Sequence, residues 1–262
     1  MAEGDSVARL AARLDTATAG ALITRSDVRH PRFATVDLAG QRIREWRARG
    51  KHLLTRTDAG LTVHSHLRMS GSWSVLRPGR RLPARVLPQL RIAVHLDDGR
   101  TLVGVALPVL TVLRTSDERA VVGHLGPDLL GTDAADGIAA AVARVAAAGE
   151  DAVVAALLDQ RRVAGLGNMW AQELLFLHGV SPWRAAGSVD GLEVLLTDAR
   201  RRLRHAVSEN PSQNTTGLPR PRHWVYGRAR RPCLRCGTPI AFRAAERTAH
   251  GRETWWCPAC QT

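Results

Sequence analysis

Four cysteines constrain this chain more than any other feature. They are its only ones, and they come as two pairs: Cys233 with Cys236, then Cys257 with Cys260. Each pair is a CxxC knuckle, and the intervening residues 237–256 have the length of one β-hairpin. Two knuckles at that spacing can bring four sulfurs to one point, the pattern of a four-thiolate zinc site. Gly237 and Pro258 each follow a cysteine directly, which suits the tight turn of a knuckle. Two disulfides, or four unrelated buried thiols, are the alternatives that the same residues leave open. The cofactor this pattern predicts is one structural zinc ion. Between the knuckles, His250-Gly251-Arg252 reads as a glycine-punctuated turn that aims one arginine outward from the ribbon.

The rest of the chain is strongly basic. Its 262 residues carry 37 Lys+Arg against 24 Asp+Glu, a formal net charge of +13. Such a surplus predicts a polyanionic partner, either nucleic acid or an anionic membrane surface. No stretch approaches the ~18–20 unbroken apolar residues of a membrane helix, and the N-terminus lacks a signal-peptide core. The expectation is therefore a cytoplasmic nucleic-acid-binding protein without membrane association. Lys51 is the only lysine among all those basic residues. That draws attention to its chemistry, although a GC-rich genome produces the same arginine bias.

The chain opens with a helical pattern. Asp5 or Ser6 can cap a helix whose Val7, Leu10, Ala11, Leu14 and Ala17 share a face, with Gly20 as its stop. From 21 to 114 the pattern changes to short β runs: ALIT, ATVDL, HLLTRT, LTVHSHL, SWSVL, RIAVHL and TLVGVAL. Hairpin signals at Asp58-Ala59-Gly60 and Asp98-Gly99, and the regular spacing, predict a β-sandwich or barrel. Residues 77–88 interrupt it as a basic, proline-bearing loop. Beyond Gly126-Pro127 the chain becomes alanine-rich and helical. Helices are expected from 132 or 133 to 149, over 151–158, over 169–178, and over 192–207, with 208–223 a polar linker into the ribbon. In the fourth helix Arg200, Arg201, Arg202 and Arg204 form a solvated or a phosphate-facing surface.

The turn before the third of these helices carries more information. Residues 161–168 read RRVAGLGN, two glycines and an asparagine leading into a helix. Such a turn exposes backbone N–H groups at the helix's positive end, an anion-binding arrangement that predicts a phosphate clamp. An ordinary helix–turn–helix connection explains the same residues.

Taken together, these segments resemble the formamidopyrimidine-DNA glycosylase / endonuclease VIII family of base-excision-repair enzymes. The anchors are EGD at 3–5, RGKHLL at 49–54, SHLRMSGSW at 65–73, HLGPDLL at 124–130, VAGLGNMWAQELLF at 163–176, VYGR at 225–228 and the terminal ribbon. Details look more like an actinobacterial endonuclease VIII branch: Gly4 follows Glu3, and no DPRRFG-like segment occurs near 91–114.

The resemblance implies an α+β, multi-domain fold. An N-terminal helix plus β-sandwich would span 1–128, a helix–two-turn–helix domain 129–215, and a linker with a zinc-finger β-hairpin 216–262. It also implies roles. The amine of Ala2, freed on removal of Met1, would attack C1′ of a damaged nucleoside, and Glu3 would protonate the sugar ring oxygen. Lys51 would contact phosphate near the lesion, and Gly167, Asn168, Arg228 and Arg252 would hold DNA. Arg68-Met69-Ser70 would form the intercalating loop, with Met69 as the wedge that fills the gap left by a flipped base. The implied partner is damaged DNA, double- or single-stranded, bound by a monomer.

One departure is chemical. The family usually carries proline at position 2, where this chain has Ala2. A second reading is therefore a binder of damaged or abasic DNA, either non-catalytic or a glycosylase without lyase activity. A third, a ribosomal or transcriptional zinc-ribbon protein, accounts for the charge and the ribbon but not for Glu3 at the start of the chain.

Overall fold

The period-two alternation of the first half becomes two four-stranded antiparallel sheets. In this computed structural model, residues 3–132, 137–209 and 213–262 are described. One compact unit comprises Ser6–His124, and a second joins Glu3–Asp5 to Leu125–Thr262. In the first unit, strands β1 (Ile23–Val28), β2 (Ile43–Arg49), β3 (His52–Thr57), β4 (Leu61–His66), β5 (Ser72–Leu76), β6 (Leu90–Leu96), β7 (Thr101–Val105) and β8 (Val109–Arg114) pair in the orders β1-β6-β7-β5 and β2-β3-β4-β8. Inward-facing Ile23, Ile92 and Leu102 of one sheet join Trp46, Leu53 and Val63 of the other in one core. Helix α1 (Gly4–Thr18) closes it with Val7, Ala11 and Leu14. Burying a side chain of this size stabilises by about 1.5–3 kcal/mol.

Three local readings change. The run 34–38, expected as a strand, is turn and coil; the Leu38 N–H donates to the Ser26 hydroxyl while the Leu38 side chain stays in the core. Strands β2 and β8 fall where no strand was expected, because charged outward residues mask the alternation of IREWRAR and Pro108 interrupts the run before VLTVLR. Helix α1 begins at Gly4, so Asp5 lies in its first turn instead of capping it.

A short helix α2 (Arg119–Val122) ends the first unit. The second is helical: α3 (Ile138–Ala146), α4 (Val153–Leu158), α5 (Asn168–Leu177) and α6 (Leu192–Ser208). Asp133, one of the two expected starts of the first of these, lies outside the described residues. Helix α5 is buried almost all round, and its Leu174 and Leu175 share a core with Val153, Leu157, Leu196 and Leu203. The cysteine ribbon, with β9 (Ala241–Arg243) paired to β10 (Thr254–Trp256), belongs to the same unit. Phe176 of α5 packs with Val225, Ile240, Trp255 and Cys257 of the ribbon and its approach.

Candidate active site

The amides at the start of α5 do bind an anion, and that anion is supplied by the chain itself. Glu3 is fully buried. The Met169 N–H donates to its Oε1 at 2.9 Å and the Trp170 N–H to its Oε2 at 3.3 Å. These are first-turn amides with no partner inside the helix, and the helix dipole favours negative charge there. The two glycines of the turn make room for it. A Cβ at Gly167 would lie 2.2 Å from the Glu3 carboxyl carbon, and one at Gly4 would lie 2.7 Å from the Gly165 carbonyl oxygen. The Gly4 N–H donates to that same oxygen at 2.9 Å. The GLGN turn thus forms a socket for Glu3 and Gly4, and the Met169 and Trp170 amides that follow it face the Glu3 carboxylate.

Asn168 and Gln172 stand one turn apart on α5 and fasten the ribbon. Asn168 Nδ2 donates to the Glu253 carbonyl at 2.9 Å, and Gln172 Nε2 to the same oxygen at 2.8 Å. Gln172 Oε1 accepts the Trp255 N–H at 2.8 Å. Arg252, the residue before Glu253, is exposed, and its backbone is clamped on both sides by the Thr248 hydroxyl. Burial, with the negative charges of Glu3 and Glu253, raises the Tyr226 pKa, while Arg252 opposes it. Glu3, Asn168, Tyr226 and Arg252, distant in sequence, therefore share one neighbourhood.

Glu173 was not singled out from sequence, although it is fully buried and highly connected. It accepts the N–H groups of Trp224, Val225 and Tyr226 and the Thr215 hydroxyl. The described part of the segment read as a polar linker, 213–223, is therefore a strap tied to α5 through Thr215 and the residues that follow it. Within it, Asn214 Oδ1 accepts the Thr216 and Gly217 amides, and the Thr215 N–H donates to the Arg222 carbonyl. The guanidinium of Arg228, expected to hold DNA, donates to the Trp224 and Pro232 carbonyls and holds the approach to the ribbon. A polar pair inside the apolar run MWAQELLFL was the available signal for Gln172 and Glu173.

The four cysteine sulfurs converge. All lie within 4.8 Å of one another, with Cys233–Cys260 at 4.0 Å and Cys236–Cys257 at 3.5 Å. A tetrahedral zinc with bonds near 2.3 Å sets its sulfurs about 3.8 Å apart, so the donor set fits that ion. None of the cysteines is in a disulfide. Four thiolates this close repel strongly unless a cation lies between them.

In the first unit, Lys51 sits with Gly50 in the two-residue hairpin between β2 and β3. Beside it is a group of imidazoles. His52 Nδ1 and His64 Nε2 are 2.8 Å apart, and the His52 ring lies 4.9 Å from His66 and 5.9 Å from His124. Burial, reinforced by the other histidines and Lys51, lowers the His52 pKa to about 3. Burial and the nearby His66 lower His64 to about 4. His66 Nδ1 accepts the Arg68 N–H at 3.1 Å, which anchors the β4–β5 loop. That loop presents Arg68 at φ 47, Met69 at 72% exposure, and Ser70, whose hydroxyl donates to the Ala106 carbonyl. A methionine so exposed is not a core residue. Ala2 lies outside the described residues.

Comparison with known proteins bears on this arrangement. Residues 1–106 match the formamidopyrimidine-DNA glycosylase N-terminal domain, and 125–216 match the formamidopyrimidine-DNA glycosylase H2TH domain. The chain is 48% identical over 267 residues to the probable endonuclease 8 2 of Streptomyces coelicolor, covering 100% of this chain and 94% of that one. It is 41% identical over 270 residues to the DNA-(apurinic or apyrimidinic site) lyase Nei2 of Mycolicibacterium smegmatis, covering 100% and 99%. Among solved structures, the MutM (Fpg) protein of Thermus thermophilus superposes with a TM-score of 0.78 at 32% identity, covering 99% and 98%. Among the described residues, no helix is long and apolar enough to cross a membrane.

Proposed function

The chain belongs to the formamidopyrimidine-DNA glycosylase / endonuclease VIII family, and on that footing we propose that it is a base-excision-repair DNA glycosylase with AP lyase activity. Its substrates in this reading are oxidised bases in DNA, pyrimidines in preference to purines. One observation carries the reading: the carboxylate of Glu3 is buried and clamped by the first amides of α5, so the residue that follows position 2 has one defined place.

The α-amine of Ala2, after loss of Met1, attacks C1′ and displaces the damaged base. The ammonium formed on attack passes a proton to the Glu3 carboxylate, which delivers it to the ring oxygen. The sugar opens to a Schiff base, and loss of a C2′ proton with departure of the 3′-phosphate breaks the strand. An α-amine titrates near 7.7–8.0, so roughly a fifth to a third is neutral at pH 7.4, whereas about a thousandth of an ordinary lysine amine is. Alanine's primary amine gives an imine that must be protonated to draw electrons, where proline gives a permanently charged iminium. Lyase activity is the step this substitution weakens most.

Asn168, Arg252 and Lys51 contact phosphates around the flipped nucleotide, with Gly167 shaping the turn. Arg68, Met69 and Ser70 enter the stack, Met69 as the wedge. Arg228 supports the strap and the ribbon that carries Arg252. Cys233, Cys236, Cys257 and Cys260 hold one zinc ion, which supplies folding energy to the ribbon and no chemistry to the reaction. In domain terms, 1–128 supplies the sandwich, 129–215 the helical DNA-binding region and 216–262 the finger.

The reading is tested with Glu3→Gln in single-turnover excision from an oxidised-pyrimidine duplex. Base release should fall by about a hundredfold or more while affinity for a tetrahydrofuran-site duplex is kept. Equal losses of rate and affinity would make Glu3 a scaffold residue only.

A further inference from the structure

A second carboxylate lies beside the first. Asp5, in the first turn of α1, is fully buried, and its acceptors meet two partners. The indole N–H of Trp170 donates to its Oδ1 at 3.2 Å. Gln213 Nε2 lies 2.9 Å from both of its oxygens. Trp170 is thus held twice by the opening of the chain: its backbone N–H donates to Glu3 and its side chain donates to Asp5. The indole is itself 2% exposed, so its N–H needs an acceptor in the interior.

Resting on the glycosylase reading above, we propose that Asp5 is a positioning residue for base excision, acting on Glu3 through Trp170. The argument is geometric. Glu3 accepts from the first turn of α5, and the register of that turn depends on Met169 and Trp170. Asp5 sits two residues after Glu3 on a helix that has just begun, so its grip on the indole sets how the opening residues sit in the glycine socket. Gln213, at φ +53, donates to both oxygens of the carboxylate and joins the strap to the same point. Buried carboxylates are costly unless fully hydrogen-bonded, and Asp5 meets that condition only with Trp170 and Gln213 in place. A misplacement of about 1 Å at a reacting group can cost about a hundredfold in rate.

The test is Asp5→Asn, which keeps the shape but leaves one neutral oxygen for the Trp170 indole N–H and the Gln213 amide to share. Single-turnover base release is measured beside the dissociation constant for a tetrahydrofuran-site duplex. Release should fall about tenfold or more with affinity changed less than about twofold. Trp170→Phe, which removes only the indole N–H and leaves the backbone amide to Glu3, should give the same split, and it serves alone if Asp5→Asn does not fold. The double variant should be no slower than the slower single one, since both weaken the contact between residue 5 and the indole. An unchanged rate, a rate lost in step with affinity, or losses that multiply would each overturn the proposal. If the wild type releases no base, the glycosylase reading fails instead. The positioning role is then judged by the amide resonances of Met169 and Trp170: Asp5→Asn should shift them, and unmoved signals would refute it.

Discussion

The two units of this chain hold themselves together by different means. In the sandwich, cohesion comes from apolar side chains that alternate along strands and meet between two sheets. In the C-terminal unit, a helical core is supplemented by side chains whose partners lie far away in sequence. Glu3 meets 169 and 170, Glu173 meets 215 and 224–226, and Gln172 meets 253 and 255. Apolar burial is forgiving, because neighbouring side chains can repack. A buried carboxylate with several fixed donors is not, because removing it leaves those donors unpaired. Glu3 lies in the unit where buried carboxylates are held by several fixed backbone donors, and that unit should be the more fragile to single changes at them.

The sharpest way to separate the units is to remove the zinc. Chelation, or Cys257→Ser, should unfold the ribbon and abolish DNA binding while the sandwich keeps its β-sheet circular dichroism. A metal-free preparation with full affinity would end the zinc assignment. Next in size is Glu173→Ala, which strips the acceptor from three amides and a hydroxyl. It should cost about 3–5 kcal/mol in the C-terminal unit, read by hydrogen exchange of the strap amides. Exchange that accelerates equally in the sandwich strands would break the contrast drawn here.

Acid should act the other way round, on the sandwich first. His52 and His64 are held near 3 and 4 in the folded state, against about 6.5 when unfolded. Between those limits the unfolded chain binds more protons, so their neutral pairing is fully stabilising above about pH 6.5 and is lost as pH falls towards 4. Each imidazole contributes a slope of up to about 1.4 kcal/mol per pH unit in that window. Thermal melts of His52→Gln/His64→Gln should show a shallower acid decline than wild type; parallel curves would contradict the burial account. The smallest expected effect is at Arg252. Arg252→Ala should weaken binding to all sequences alike and reduce the salt dependence of log K by about one.

Much of the architecture was readable from the sequence for reasons that also explain the gaps. The four cysteines, the helical periodicity of 192–207 and the apolar runs of β3, β4 and β6 carry their information locally, within a few residues. Strand β2 did not, because Glu45, Arg47 and Arg49 face outward and a register shift after Ile43 breaks the alternation that brings Trp46 and Ala48 to the core. GLGN was legible as an anion site, but nothing local says that the anion is a carboxylate from residue 3. Glu173 and Gln213 were missed, and Asp5 was read only as a cap and part of a motif, for the same reason: each is an ordinary polar residue until the fold brings its partners to it. His52 on β3 meets His64 and His66 on β4 through strand register, and His124 joins them from the segment after α2.

The account stands or falls on the nucleophile. Borohydride reduction of the protein mixed with an abasic-site duplex, followed by peptide mass mapping, tests it directly. The account predicts one covalent adduct on the α-amine of Ala2, with Met1 absent, and a yield that rises when Ala2→Pro is introduced. An adduct on Lys51, or retained Met1 with no adduct while base release continues, would contradict it.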